Sequence, residues 1–244
     1  MPKIMDMTDF KNTLKRREVL IGGALAAYGA IKLPRVFGLT DGDTVAAVSR
    51  GANALAAASQ CTLTKELTEG PYYVPGEPTR QNITEGIDGM PLILSFRVVD
   101  ATTCKPIPNA NVEIWHADPE GEYSAFDGAS KKTSYLRGHQ IANASGVAKF
   151  ITVFPGWYSG RTPHIHVKVH VDGKTVHTGQ VFFKTAIEKK IYARAPYTGR
   201  SGERVYNSGD NIYKQIGSAG IVAIKRRKSK RGYAGTITLA VDQS

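Results

Sequence analysis

From residue 61 onward, hydrophobic and polar positions alternate in short runs, which predicts strands rather than helices. Residues 92–99 are rich in strand formers, residues 111–116 alternate polar and apolar, and 146–154, 164–171, 176–183 and 235–241 repeat the pattern. Turn residues separate the runs: Lys105-Pro106-Ile107-Pro108-Asn109, Asp118-Pro119-Glu120-Gly121, Pro155-Gly156 and Asp172-Gly173. The last pair stands between two alternating runs and predicts a tight hairpin. Only residues 185–192 read as a helix, and a short one. Residues 196–215, rich in Gly, Asn, Ser and Tyr, read as a long surface excursion. Short strands at this spacing predict an all-β chain, a β-sandwich with long loops.

The first 58 residues have a different character. Lys15-Arg16-Arg17 precedes a mildly apolar stretch from Val19 to Ile31 that is too short and too weakly apolar for a membrane span. A twin-arginine pair in that setting resembles a Tat export signal. The expected organisation is a leader and linker over residues 1–58 and one folded domain over 59–244. Export to the periplasm or beyond through the Tat translocase follows, with a membrane tether if the leader is not cleaved. A buried N-terminal helix is the alternative, against which the Ala/Gly/Ser bias argues. The two cysteines, Cys61 and Cys104, agree with export, since an even count in an oxidising compartment invites a disulfide. Two separate buried thiols are the other reading. A formal charge of +11 raises the question of nucleic acid, and residues 225–231 hold six of the cations. No nucleic-acid motif accompanies that run, which reads as a solvated loop between strands and not as a nucleic-acid site.

The chemistry concentrates in residues 156–169, GWYSGRTPHIHVKV. On a strand, side chains at i and i+2 leave the same face, so His164 and His166 project together and form half of a metal site. Arg161 lies three residues before His164, and Tyr158 three before that. Two histidines fit zinc, copper, iron or nickel. His170, further along the same alternation, keeps an all-imidazole zinc site open. The neighbouring tyrosines, Tyr158 and Tyr123, read by themselves more often as core or interface residues; as ligands they would favour ferric iron, because binding a phenol as phenolate near neutral pH needs a strongly Lewis-acidic ion.

The region from Cys61 to Val241 resembles the intradiol ring-cleavage dioxygenases, particularly short exported members with Tat-type leaders. The resemblance rests on Thr68-Glu69-Gly70-Pro71-Tyr72-Tyr73, on Pro106–Ala110 running into Val112–His116, and on Gly121–Phe126. Tyr135-Leu136-Arg137-Gly138 and Pro155–His166 complete it. It implies a sandwich of immunoglobulin or transthyretin-like topology with one non-haem Fe(III) per chain, held by Tyr123, Tyr158, His164 and His166. The substrates it implies are a catechol-type diol and O₂, with cleavage between the two hydroxylated carbons to a cis,cis-muconate-type product.

Tyr158 is also expected to leave the metal on substrate binding and take a catechol proton. Arg161 would stabilise negative charge growing on the ring, and Gln180 would hydrogen-bond near the arginine. Thr68, Gly70, Pro71 and Tyr73 match the segment at the pocket mouth, and Trp157 is pocket wall or core. Trp115 and His116 read as structural, the histidine satisfying backbone groups. Oligomeric state, a homo-oligomer being one option, is not carried over from the resemblance. Neither is substrate choice. Two other classes stay open, a transthyretin-like binding module and a histidine-rich zinc hydrolase.

Overall fold

The computed structural model describes residues 61–126 and 133–243. The twin-arginine segment, the apolar stretch and the boundary at residue 58 lie outside the described residues. Among the described residues no helix is long and apolar enough to cross a membrane.

Alternation locates six strands, and the structure forms all of them. They are β1 (Pro91–Asp100), β2 (Asn111–Trp115), β4 (Val147–Val153), β5 (His164–Val171), β6 (Lys174–Phe182) and β8 (Tyr233–Val241). Two more were not marked by the sequence. β3 (Arg137–Ile141) has few strand formers, and β7 (Ala223–Arg226) is short and ends in the basic run. The expectation of a loop over residues 225–231 is corrected accordingly. Lys225 and Arg226 pair with β8, and the rest of the run forms the connecting turn, with most of its side chains exposed. Helix α1 (Thr185–Tyr192) forms where predicted. The presumed excursion over 196–215 is also corrected. It contains a 3-10 turn at Asn207–Gly209 and leads into α2 (Tyr213–Ile216), and it carries buried Asn207 and Asp210.

The strands make two four-stranded sheets, β4-β1-β8-β7 and β3-β2-β5-β6. Pairing is antiparallel except for β1 with β8. Leu92, Leu94, Phe96 and Val98 of β1 face Val112, Ile114, Ile165, Val167 and Val169 of the other sheet in one hydrophobic core. Each fully buried side chain of this kind contributes about 1.5–3 kcal/mol. The chain is the predicted β-sandwich. The β5–β6 hairpin turns on Asp172 (φ 50°) and Gly173 (φ 78°), left-handed at both central positions as the tightest hairpins require. Cys61 and Cys104, 43 residues apart, are joined as a disulfide.

Candidate metal centre

Because Ile165, Val167 and Val169 fill the core, period-two alternation turns His164, His166, Lys168 and His170 to the opposite, outer face of their sheet. Register places Trp115 and Gln180 beside His166 on that face. Loops cover its upper end, so His164 and His166 are buried. Tyr123 arrives from the loop after β2, and Tyr158 from the loop that leads into β5. Their oxygens meet the two imidazoles. His166 Nε2 lies 3.2 Å from His164 Nε2 and 3.2 Å from Tyr123 Oη, while His164 Nε2 lies 3.2 Å from Tyr158 Oη and 3.5 Å from Tyr123 Oη.

These four groups fit a metal ion. His164 Nδ1 is 2.7 Å from the Thr162 carbonyl oxygen, which only accepts, so Nδ1 carries the proton and Nε2 presents its lone pair to the cluster. Burial, with Arg161 second, pushes the His164 pKa down to about 3. Burial and the neighbouring His164 hold His166 well below its ordinary range. Both rings are therefore neutral donors near pH 7. His166 Nδ1 is buried with no hydrogen-bond partner among the described residues. Burial raises both phenols, and Tyr158 raises Tyr123 further. Two phenols this resistant to ionisation become phenolates only beside a strongly Lewis-acidic cation. Among the described residues no cluster of three or more His, Cys, Asp or Glu side chains stands ready for a metal, so the tyrosines decide this donor set. His170 does face the same side but lies farther along, with Glu113 at 3.4 Å and Thr175 at 3.0 Å, outside the cluster.

Aromatic rings hold the donors in place. Trp115 stacks on His166 (4.9 Å, 9°) and Tyr72 on Tyr123 (4.1 Å, 7°). Gly70, at φ +75°, passes so close to the imidazole that a Cβ there would sit 3.2 Å from His166 Cε1. Buried Arg137 ties these pieces together, donating to the Tyr72 carbonyl (2.6 Å), the Ser124 carbonyl (2.8 Å) and Ser124 Oγ (2.8 Å).

Arg161 sits at the edge of the cluster. Its guanidinium donates from Nε to Asp210 Oδ2 (2.8 Å) and from one terminal nitrogen to Gln180 Oε1 (2.6 Å), and the other nitrogen lies 3.4 Å from His164 Nε2. Gln180 Nε2 donates in turn to the Thr68 carbonyl (2.9 Å).

The family model described as Dioxygenase matches residues 68–190. The solved structure of an intradiol ring-cleavage dioxygenase from Tetranychus urticae is 35% identical with a TM-score of 0.71, and covers 75% of this chain and 95% of its own. The chain belongs to the intradiol ring-cleavage dioxygenase family. A catechol 1,2-dioxygenase from Acinetobacter baylyi is 32% identical over 163 residues, 57% of this chain and 51% of that protein. One from a Pseudomonas species is 40% identical over 101 residues, 39% of this chain and 32% of that protein. The chain thus spans about half or less of the length of these catechol dioxygenases.

Within this family member, the structure brings Tyr123, Tyr158, His164, His166, Arg161 and Gln180 together. The mouth residues are more scattered. Thr68 contributes its carbonyl, and Pro71 is exposed in the adjoining turn. Tyr73 packs on Trp115 (5.1 Å) beneath the Lys168 ammonium and donates to Glu113 (3.3 Å). Trp157 is buried under the Arg200 guanidinium, 4.5 Å from its ring. His116 bonds one backbone group, the Ala117 carbonyl (2.8 Å), and one side chain, Thr152 Oγ1 (2.7 Å). Sequence reasoning missed Tyr72, Arg137 and Asp210. The first two stand inside the motifs that carried the resemblance. Asp210 lies in a stretch with no periodicity to mark it.

Proposed function

We propose that this protein is an Fe(III)-dependent intradiol dioxygenase that cleaves a catechol-type diol with O₂ to a cis,cis-muconate-type product, incorporating both oxygen atoms. The observation that carries the reading is the convergence of two neutral imidazole nitrogens and two phenol oxygens within 3.2–3.5 Å, with a guanidinium beside them. Tyr123, Tyr158, His164 and His166 would hold the iron. When bound, ferric iron supplies Lewis acidity that makes a chelated catecholate ring reactive toward O₂.

The chain's own groups would do the rest. Tyr158 is the more exposed of the two tyrosines, so its Oη, once held as phenolate by the iron, would be the one placed to meet an incoming diol and accept a hydroxyl proton. Tyr123 is almost wholly buried under Tyr72 and serves as a fixed ligand. The Arg161 guanidinium would stabilise negative charge as it grows on the ring. Gln180 holds one corner of that guanidinium. Trp115 and Tyr72 keep water from the far side of the donors.

Export completes the proposal. The twin-arginine pair before residues 19–31 and the Cys61–Cys104 disulfide both support passage through the Tat translocase to an oxidising compartment. Replacing Arg16 and Arg17 by lysine would then leave the protein in the cytoplasm on fractionation.

The decisive experiment loads the purified protein with ferric iron and follows O₂ uptake on a panel of catechols, with identification of the product. Visible tyrosinate-to-iron colour and opening between the two hydroxylated carbons are expected. A colourless protein, or cleavage beside the diol, would overturn the reading.

A further inference from the structure

We infer that Asp210 is the positioning residue that aims the Arg161 guanidinium at the donor cluster, an inference that rests on the ring-cleavage reading above. An arginine side chain has many rotamers, and its value next to a reacting ring depends on holding one of them. Arg161 is held at three corners: Asp210 at Nε, Gln180 at one terminal nitrogen and His164 at the other. The contacts are unequal. Gln180 has one further anchor, the Thr68 carbonyl at 2.9 Å, and the His164 contact is the longest of the three.

Asp210 is anchored more densely, by three backbone N–H groups. Its side chain is fully buried, while that of Arg161 is 18% exposed. Asp210 Oδ1 accepts from the backbone N–H groups of Ile212 (2.8 Å) and Tyr213 (2.8 Å), and Oδ2 accepts from Thr162 N–H (2.9 Å) as well as from Arg161. Asn207 reinforces the same junction, accepting from Thr162 Oγ1 (2.7 Å) and donating to the Phe183 carbonyl (2.8 Å). Burial works to raise the Asp210 pKa, but the N–H groups of Tyr213 and Thr162 and the Arg161 charge together hold it below the ordinary range. The carboxylate is thus fixed by backbone on two sides, and the guanidinium takes its direction from it. Positioning comes from outside the sandwich proper, in the 207–216 segment.

The variant Asp210→Asn keeps the shape and replaces one acceptor oxygen with an amide nitrogen. Three measurements read it. In metal-free protein, the Arg161 Nε–H resonance should be protected from exchange in the wild type and lose that protection in D210N. After ferric loading, D210N should keep the visible colour while kcat for catechol opening falls about tenfold or more and KM changes far less. In an Arg161→Ala background, D210N should cost no further turnover, because a residue that acts only through Arg161 has nothing left to act on. Wild-type kcat in D210N, an equal additional loss in the R161A background, or unchanged Nε–H protection would each overturn the inference.

If D210N does not fold, Arg161→Lys tests the same contact from the other side. Lysine keeps the charge but cannot span Asp210, Gln180 and His164 at once, so turnover should drop, and wild-type turnover would refute the role. A wild-type protein that opens no catechol counts against the ring-cleavage reading instead, and the side-chain resonance then decides the positioning of Arg161.

Discussion

The two sheets share one core yet treat their outer faces in opposite ways. On β4-β1-β8-β7 the alternation survives to the surface. Arg97, Lys149, Thr236 and Thr238 are exposed between buried neighbours. On β3-β2-β5-β6 the outward positions Arg137, Glu113, Trp115, His164, His166 and Gln180 are buried as well. Loops from residues 68–73, 116–126 and 154–163 and the segment around Asp210 cover that face. Burying polar groups is costly unless each finds a partner. Arg137, Gln180 and Asp210 all do. Among the described residues, Asn111 Oδ1, Trp115 Nε1 and His166 Nδ1 on this sheet are buried without one, and the last belongs to the candidate metal centre. One sheet's outer face is therefore ordinary surface, and the other's is a second, polar interior where chemistry can be kept from water.

The largest test of this contrast is removal of a donor. His166→Ala should abolish ferric binding, colour and ring opening together, as metal analysis and visible spectroscopy would show. Arg161→Ala should keep iron and colour but lower kcat about a hundredfold or more, and full activity would remove Arg161 from the mechanism. In the shared core, Leu94→Ala and Ile165→Ala should each lower stability by about 2–5 kcal/mol in urea unfolding. Only Ile165→Ala, between the two histidines, should also weaken iron binding.

Helix α1 carries a pH signature. Glu188 on α1 is buried against Arg204 of the covering segment and beside Tyr192. Burial, partly offset by Arg204, raises its pKa from 4.5 to about 7. Between those values the folded state binds more protons than the unfolded state, so this contribution to stability falls as pH rises from 4.5 to 7. The change is on the order of 2 kcal/mol, and Glu188→Gln should flatten it in pH-dependent melts. The smallest effect belongs to the open face, where Lys149→Ala should alter stability by about 0.5 kcal/mol or less and leave turnover unchanged.

Much of the site was legible because it is local. Tyr158, Arg161, His164 and His166 fall within nine residues, and strand periodicity alone puts both imidazoles on one face. Asp172-Gly173 announced its hairpin through residues that tolerate left-handed backbone. The strands that went unmarked, β3 and β7, have one strand former each, Ile141 and Ile224, and their pairing with better strands outweighs weak propensity.

Sequence by itself determined the alternation, hence the sandwich, the shared core and the outward aim of His164 and His166. Only the tertiary structure decided what meets them there. Tyr123 lies 41 residues before His164, and Asp210 lies 49 after Arg161. Periodicity reports which face a side chain takes, because that is set by the backbone's own repeat. It does not report which distant loop folds over that face, because that depends on hydrogen bonds made only once the sheet exists.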